Sequence, residues 1–496
     1  MYYLSEIRDS EIEELFEKVN KLNYGKYLKS LEMKELRGFK NQVVNFDFPV
    51  TAIIGPNGGG KTTVLGSAAC AYIETKPGRF FPKCGLSDET MQNWMIEYQA
   101  IDKKIHNKNT VTRISKFNNF KWTRKNVLSR ETLLFGVSRT VPASERTELG
   151  KFANSKFNVP QENITKLNDV ICQEVGRILE KNIEGFNNIY IDSKGKVTLL
   201  TGRTQNGVEY SEFHFGAGES SIIRMIMEIE ASEDNALVLI EEIENGLHPV
   251  ATIRLVEYLI KVALRKKLQV IFTTHSDDAL APLPAKAIWA AFNYEVLQGK
   301  LSIKSLRAIN GQVSSQLVIF TEDEFATKWI ESILNSEASI DYGLIEVHFM
   351  AGDGTAVKIN KSHNINPSIG TKSICIIDGD SEQVENDEEF VYRLPGEMPE
   401  SYIFLKVRDV IEQVIGELSI ALHKPFEYQD KLREDIEYVW RNNYDRHLLY
   451  SQLGKRIGFV SEEIVRSAYF SIWSRHYQDE ANKILNIIKS NLQENI

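Results

Sequence analysis

Gly55-Pro56-Asn57-Gly58-Gly59-Gly60-Lys61-Thr62 places four glycines, a lysine and a hydroxyl in the order G-x-x-x-x-G-K-[ST]. Without Cβ atoms in the way, the backbone N–H groups of such a loop can converge on phosphate oxygens. A helix that starts right after the loop adds positive dipole density. Lys61 can then reach β- and γ-phosphates, and the Thr62 hydroxyl can ligate Mg²⁺, with Asn57, Gly58, Gly60 and Thr63 completing the cradle. A second set lies far along the chain, where the apolar run Leu237-Val238-Leu239-Ile240 ends in Glu241-Glu242. A carboxylate at a strand end can cap a helix, or it can work beside a phosphate. In the latter role Glu241 holds Mg²⁺ with the nucleotide and Glu242 polarises the attacking water. His275, in Thr274-His275-Ser276 after Gln269-Val270-Ile271-Phe272-Thr273, is the third member, expected to contact the γ-phosphate.

These residues need a scaffold that brings strand ends together. Val50 to Ile54 is a short β-branched run of the kind found in buried parallel strands. Thr62 to Ala71 is helical, as are a stretch after Gly218 and another from Val250 to Leu264. Strands alternating with crossover helices imply a parallel sheet whose C-terminal edges meet in one crevice. Before them, an amphipathic helix carries Ile12, Leu15, Phe16, Val19 and Leu22. A hairpin pairs Leu31–Leu36 with Val43–Phe48 around Arg37-Gly38-Phe39-Lys40. Lys286 to Leu306 reads as a closing hairpin turning at Gln298-Gly299. Between them, residues 76–207 are mixed and punctuated, apart from a helix over Asn168–Ile183. Lys116, Lys121, Trp122, Arg124, Lys125 and Arg130 cluster there, either as a solvated strand face or as a patch that tracks nucleic-acid phosphates.

The chain has 496 residues, 42% of them hydrophobic and 26% charged, which suits several globular domains and excludes wholesale disorder. A net charge of -9 argues against a protein that coats nucleic acid, though not against a local basic groove. Cys70, Cys84, Cys172 and Cys375 are widely spaced, so neither a disulfide framework nor a zinc ribbon is expected, and a cytoplasmic setting fits. No apolar run approaches membrane-spanning length and no secretory leader opens the chain, so no membrane partner is expected. The polar stretch Ile309–Ser315 reads as a linker. Beyond it Leu317–Thr321 is a strand ending in Glu322, and Ile374–Ile377 one ending in Asp378-Gly379-Asp380. The expected domains are 1–308, with the mixed region 76–207 inserted, then a smaller α/β domain at 316–407 and a helical region at 408–496.

With these motifs in place, the chain resembles the ABC-type ATPases, in the soluble branch of the SMC, Rad50 and OLD-family proteins. Glu241-Glu242-Ile243-Glu244-Asn245-Gly246-Leu247-His248-Pro249 looks like the extended Walker B and D-loop of that branch. Phe215-Gly216-Ala217-Gly218-Glu219-Ser220-Ser221 stands where the family has its signature segment. The resemblance implies an α/β fold with an ABC-type P-loop domain, and a head-to-tail homo-oligomer in which Gly216, Gly218 and Glu219 contact a nucleotide held by the partner. Gly216 stands where the family has serine and Glu241 where it has aspartate, which implies slow ATP turnover. Ser220 could replace the missing hydroxyl, and Gln99 is a candidate for the family's glutamine loop. Nothing in the chain resembles a transporter's membrane domain, and no long heptad arm separates the nucleotide motifs.

Glu322 with Asp378-Gly379-Asp380 resembles a Toprim arrangement, which implies a second metal set of Glu322, Asp378 and Asp380 for phosphodiester chemistry. The family's glycine after the first Glu is Asp323 here, so a scaffold with vestigial carboxylates is the other reading. Arg393-Leu394-Pro395-Gly396-Glu397-Met398-Pro399-Glu400, and a tail with Asp445-Arg446-His447-Leu448 and Trp473, resemble the ATPase subunits of Septu anti-phage systems. That implies a sensor ATPase partnered by a separate HNH nuclease (PtuB-like), with DNA or a retron ribonucleoprotein as further partners. The OLD-like alternative is an autonomous nuclease under ATP control, and a third is a repair ATPase that clamps DNA without cutting it.

Overall fold

The structure, a computed structural model, describes residues 5–492 except 85, 89–90, 154–157, 193–196, 205, 300, 310, 312–314, 338–339 and 351. The expected linker at 309–315 thus falls partly outside the described residues. The chain forms two compact units, Met1–Ile303 and Lys304–Ile496.

The first unit is built on a six-stranded sheet in the order Glu295–Gln298, Ile288–Phe292, Val50–Ile54, Gln269–Thr273, Leu237–Ile240, Thr132–Phe135. All neighbours pair in parallel except the first two. Every residue of Val50–Ile54, Leu237–Ile240, Gln269–Thr273 and Ile288–Phe292 is buried, because both faces of these strands are covered. The helices Lys61–Ala69, Ala217–Ala231 and Pro249–Lys266 come after strand or loop ends, as the alternation predicts.

The mixed region has more order than its pattern suggests. Trp94–Asp102, Val111–Asn118 and Lys121–Arg124 join the hairpin Lys26–Leu36/Phe39–Asn45 in a five-stranded antiparallel sheet. A four-stranded sheet gathers Ile164–Lys166, Asn187–Tyr190, Thr198–Arg203 and Glu209–Ser211. Two members of the basic cluster turn inward. Arg130 is buried and donates to the carbonyl of Asn235 at 2.6 Å and to Gln269 Oε1 at 2.8 Å. Gln269 in turn bonds both backbone groups of Leu28, which locks the antiparallel sheet to the central one. Arg124 binds the carbonyls of Cys70, Tyr72 and Thr75 beyond the helix Lys61–Ala69. Trp122 packs among Phe81, Trp94 and Phe117. The cluster is therefore largely internal structure, leaving Lys116, Lys121 and Lys125 exposed.

The second unit has a parallel four-stranded sheet in the order Ile345–Phe349, Leu317–Thr321, Lys372–Ile377, Val391–Arg393. Helices from Pro399–Asp409 to Gln478–Asn491 complete it. One hydrophobic core runs from Leu317 to Ile488, with Trp329 edge-on to Trp473 at 4.9 Å between ring centroids and Phe404 stacked on Tyr469 at 5.1 Å. The stretches 316–407 and 408–496 therefore share one interior. Aromatic pairs of this kind add to the burial term, so loss of either Trp would open a large void.

Candidate functional site

Parallel pairing sets Thr273 opposite Ile53 and Ile240 opposite both Phe272 and Phe135. The C-terminal ends of four strands are thus level to within about a residue, and the turns that leave them share one crevice. Sequence reasoning placed three of them there, those ending at Gly55, Glu241 and Thr274. The fourth, Thr132–Phe135, delivers Gly136 to Arg139, which it missed.

The phosphate loop is shaped by contacts that only glycine permits. Gly60, at φ 103°, precedes the helix Lys61–Ala69, and a Cβ there would stand 2.3 Å from the Phe39 ring. A Cβ on Gly55 would meet the Ala291 carbonyl oxygen at 2.2 Å. Lys61 is buried and curls back so that its Nζ donates to the carbonyls of Gly55 and Pro56, each at 3.0 Å. Burial lowers its pKa to about 8 against the opposing pull of Glu242 and Glu244. A buried ammonium is served far better by an anion than by two carbonyl dipoles. Asn57, Gly58 and Thr62 are exposed beside it, while Thr63 is buried under Arg37. A cavity of about 300 Å³ opens between Gly58, Gly60, Lys61 and Thr62 on one side and Arg37, Phe39 and Tyr294 on the other.

Glu241 and Glu242 are held by their backbones. The Glu241 N–H donates to the Phe135 carbonyl at 2.8 Å, and the Glu242 N–H to Thr273 Oγ1 at 2.9 Å. Glu242 adopts φ 45°, an uncommon conformation for a residue with a side chain, and strain of this kind gathers at working sites. Arg139 braces this turn by donating to the carbonyls of Glu241 and Glu242, both at 2.6 Å. Asn245 Nδ2 donates to Glu242 Oε2 at 3.1 Å and orients the carboxylate. Glu244, two residues on, accepts from Thr274 Oγ1 at 2.7 Å and from the His275 N–H at 2.6 Å. It therefore ties the half-buried His275 to the carboxylate turn.

The signature-like segment lies elsewhere on the unit. Gly218 packs against Gly246, where a Cβ would stand 2.0 Å from the Gly246 carbonyl oxygen. Glu219 is paired with Lys181 at 2.6 Å. Gly216 is exposed at the N-terminal end of the helix Ala217–Ala231, facing open space. Ser220 is 3% exposed, so it does not supply the hydroxyl that Gly216 lacks. None of these residues lines the cavity over the phosphate loop. Gln99 sits in the antiparallel sheet, where it bonds Thr112 at 2.9 Å, and does not line the cavity over the phosphate loop.

In the second unit, Glu322 and Asp378 end adjacent parallel strands, and the Asp378 N–H donates to Glu322 Oε1 at 3.0 Å. Asp378 is 8% exposed and its Oδ1 has no partner. Burial, then repulsion from Asp323, Glu322, Glu400 and Asp380, pushes its pKa up to about 9. Asp323 caps the helix Glu324–Asn335 through the Ala326 N–H at 2.8 Å. The Arg393–Glu400 motif packs directly on this turn. Arg393 donates to the carbonyls of Asp378 and Gly379 at 2.9 Å, and Gly379 abuts the Gly396 carbonyl. Glu400 pairs with His447 at 2.7 Å, which raises the His447 pKa. Among the described residues, no three His, Cys, Asp or Glu side chains are gathered to hold a metal ion. Glu322, Asp378 and Asp380 thus flank one turn.

A family described as AAA ATPase domain matches residues 84–279, a span that includes Glu241, Glu242 and His275. Septu protein PtuA of Bacillus thuringiensis is 25% identical over 293 residues, covering 50% of this chain and 72% of that protein. Among solved structures, the SMC head domain from Thermotoga maritima aligns at 14% identity and TM-score 0.34, over 55% of this chain and 97% of that one. The ATP complex of the recombination mediator RecF aligns at 12% identity and TM-score 0.33, over 55% and 99%. No helix among the described residues is long and apolar enough to cross a membrane. The phosphate loop and the matched ATPase domain together mark the chain as an ATPase, similar over half of its length to the Septu protein PtuA.

Proposed function

We propose that this chain is the ATP-binding and ATP-hydrolysing sensor subunit of a Septu-like bacterial anti-phage complex, working in the cytoplasm with a partner HNH nuclease that it recruits and controls. The observation that carries this reading is a phosphate-loop crevice in a chain similar to PtuA. In it, Asn57, Gly58, Gly60, Lys61, Thr62 and Thr63 bind the triphosphate. The residue chemistry fits a magnesium complex: the Thr62 hydroxyl is exposed on the loop, and Glu241 supplies a carboxylate at the end of a strand that opens on the same crevice. Mg²⁺ held there would neutralise phosphate charge. Glu242 takes a proton from water as the water oxygen bonds to the γ-phosphorus and the β–γ bridging bond breaks, releasing ADP. His275, fixed by Glu244, contacts the γ-phosphate. Slow turnover follows from the longer Glu241 and the absent signature hydroxyl.

Gly216, Gly218 and Glu219 act in trans within a homo-oligomer. Support comes from the open helix N-terminus at Gly216 and from the absence of these residues around the cavity of their own chain. ATP would favour the closed assembly, and its loss would release nuclease action, a population shift set by differential affinity. DNA or a retron ribonucleoprotein would then act as further partner or trigger.

Arg139 is part of this mechanism as a positioning residue. Arg139→Ala should lower kcat by about 10- to 100-fold through misplacement of Glu242, while the Kd for ATP stays within a few-fold of wild type. Parallel turnover and equilibrium-binding measurements check it.

An OLD-like nuclease that cuts DNA through Glu322, Asp378 and Asp380 is the second reading, motivated by the orphaned, buried Asp378 oxygen beside further carboxylates. The expected result separates the two. The purified chain with DNA and Mg²⁺ or Mn²⁺ should not cut, whereas co-expression with a neighbouring HNH reading frame should yield a complex that does. Cutting by the chain alone, abolished in Asp378→Ala/Asp380→Ala, would establish the nuclease reading instead.

A further inference from the structure

The hairpin closing the central sheet turns at Asn293-Tyr294, not at Gln298-Gly299 as its glycine suggests, because Phe292 pairs with Glu295. Both turn residues have positive φ, 47° and 61°, the geometry of a two-residue type I′ turn. Glycine is the favoured second residue of such a turn, and an aromatic side chain there is strained. Tyr294 gains little burial in return, being 60% exposed. Its ring packs against Gly38, where a Cβ would come within 2.5 Å of it, and makes an edge contact with Phe39 at 6.1 Å and 86°. Phe39 in turn abuts Gly60 of the phosphate loop. Tyr294 thus lines the cavity over Lys61 and Thr62 together with Phe39.

We propose that Tyr294 is the stacking platform for the base of the bound nucleotide, and that this site holds the base by its face without reading its edge. The proposal rests on the triphosphate reading of the crevice. Among the described residues, no carboxylate or carboxamide side chain lines the cavity. Its guanidinium, Arg37, is engaged by the Phe80 carbonyl at 2.9 Å and lies over the Phe81 ring at 5.0 Å. Every base offers a π-face, so stacking tolerates base identity. ATP and GTP are therefore bound alike, and selectivity for ATP in the cell follows from abundance.

Tyr294→Gly makes an Asn-Gly type I′ turn, so the variant should fold with a Tm equal to or above that of wild type. Its Kd for ATP should rise about 10-fold or more, the loss expected for one base–aromatic stack, while competition by inorganic tripolyphosphate is unchanged. Tyr294→Trp should restore the affinity, and wild type should bind ATP and GTP within about threefold of each other. Unaltered ATP affinity in a folded Tyr294→Gly protein, or a wild-type preference for either base beyond about 10-fold, would overturn the proposal. A wild type that binds neither ATP nor tripolyphosphate would instead remove the phosphate-loop reading beneath it.

Discussion

Glu242→Gln should retain ATP and lose about 100-fold or more of its hydrolysis, the range expected when a positioned general base is removed. The substitution keeps the shape of the side chain and an oxygen that can still accept from Asn245. The brace from Arg139 acts on the backbone carbonyl, so it is untouched. What disappears is the group that accepts a proton from water. Removing its negative charge also lessens repulsion toward the γ-phosphate, so the affinity for ATP should be equal or higher. Bound ATP should then hold two copies together, visible as a larger species by light scattering when ATP is added. Unchanged turnover would place the base elsewhere, and a variant unable to bind ATP would show that Glu242 shapes the site and does no chemistry.

Lys61→Ala should raise the Kd for ATP by at least about 100-fold, since hydrogen bonds to charged groups contribute about 1.5–3 kcal/mol each and Lys61 is placed to donate more than one. In the free protein its partners are the Gly55 and Pro56 carbonyls, which belong to a loop that its glycines already shape. The fold should therefore survive, and an unaltered circular-dichroism spectrum would confirm that the loss is one of binding. The wild type carries a related pH signature. Burial holds the free Lys61 pKa down at about 8, and phosphate oxygens favour the charged form, so binding takes up a proton above that pH. ATP affinity should be flat below about pH 8 and weaken as the pH rises through it, a slope that Lys61→Ala abolishes.

Much of the crevice was legible because its signals are short and unambiguous. Runs such as Val50–Ile54 and Leu237–Ile240 are apolar at nearly every position, which a sheet covered on both faces requires. Each ends at a residue type with a chemical reason to be there. Arg139 and Glu244 were not legible, since both work through partners distant in the sequence, a carbonyl pair and a histidine turn. An arginine in a punctuated segment has no local pattern to mark it. The same holds for Arg130, which looked like a surface cation beside Trp122 and is a buried tie between two sheets. The Asn293-Tyr294 turn was hidden because its second residue is not the glycine its backbone favours, while Gly299 offered a false cue. In the second unit the strand-end carboxylates were found, but their spacing in the fold depends on how Arg393 and Gly396 pack on the Asp378 turn, which linear order does not encode.

The most direct measurement is a crystal or cryo-EM structure of the chain with a nonhydrolysable ATP analogue and Mg²⁺. The triphosphate should lie along Gly58 to Thr62, with Lys61 Nζ moved off the Gly55 and Pro56 carbonyls onto phosphate oxygens and Glu242 facing the γ-phosphorus. An analogue bound elsewhere, or absent at saturating concentration with Lys61 still folded onto its own loop, would contradict the nucleotide site on which the ATPase mechanism depends.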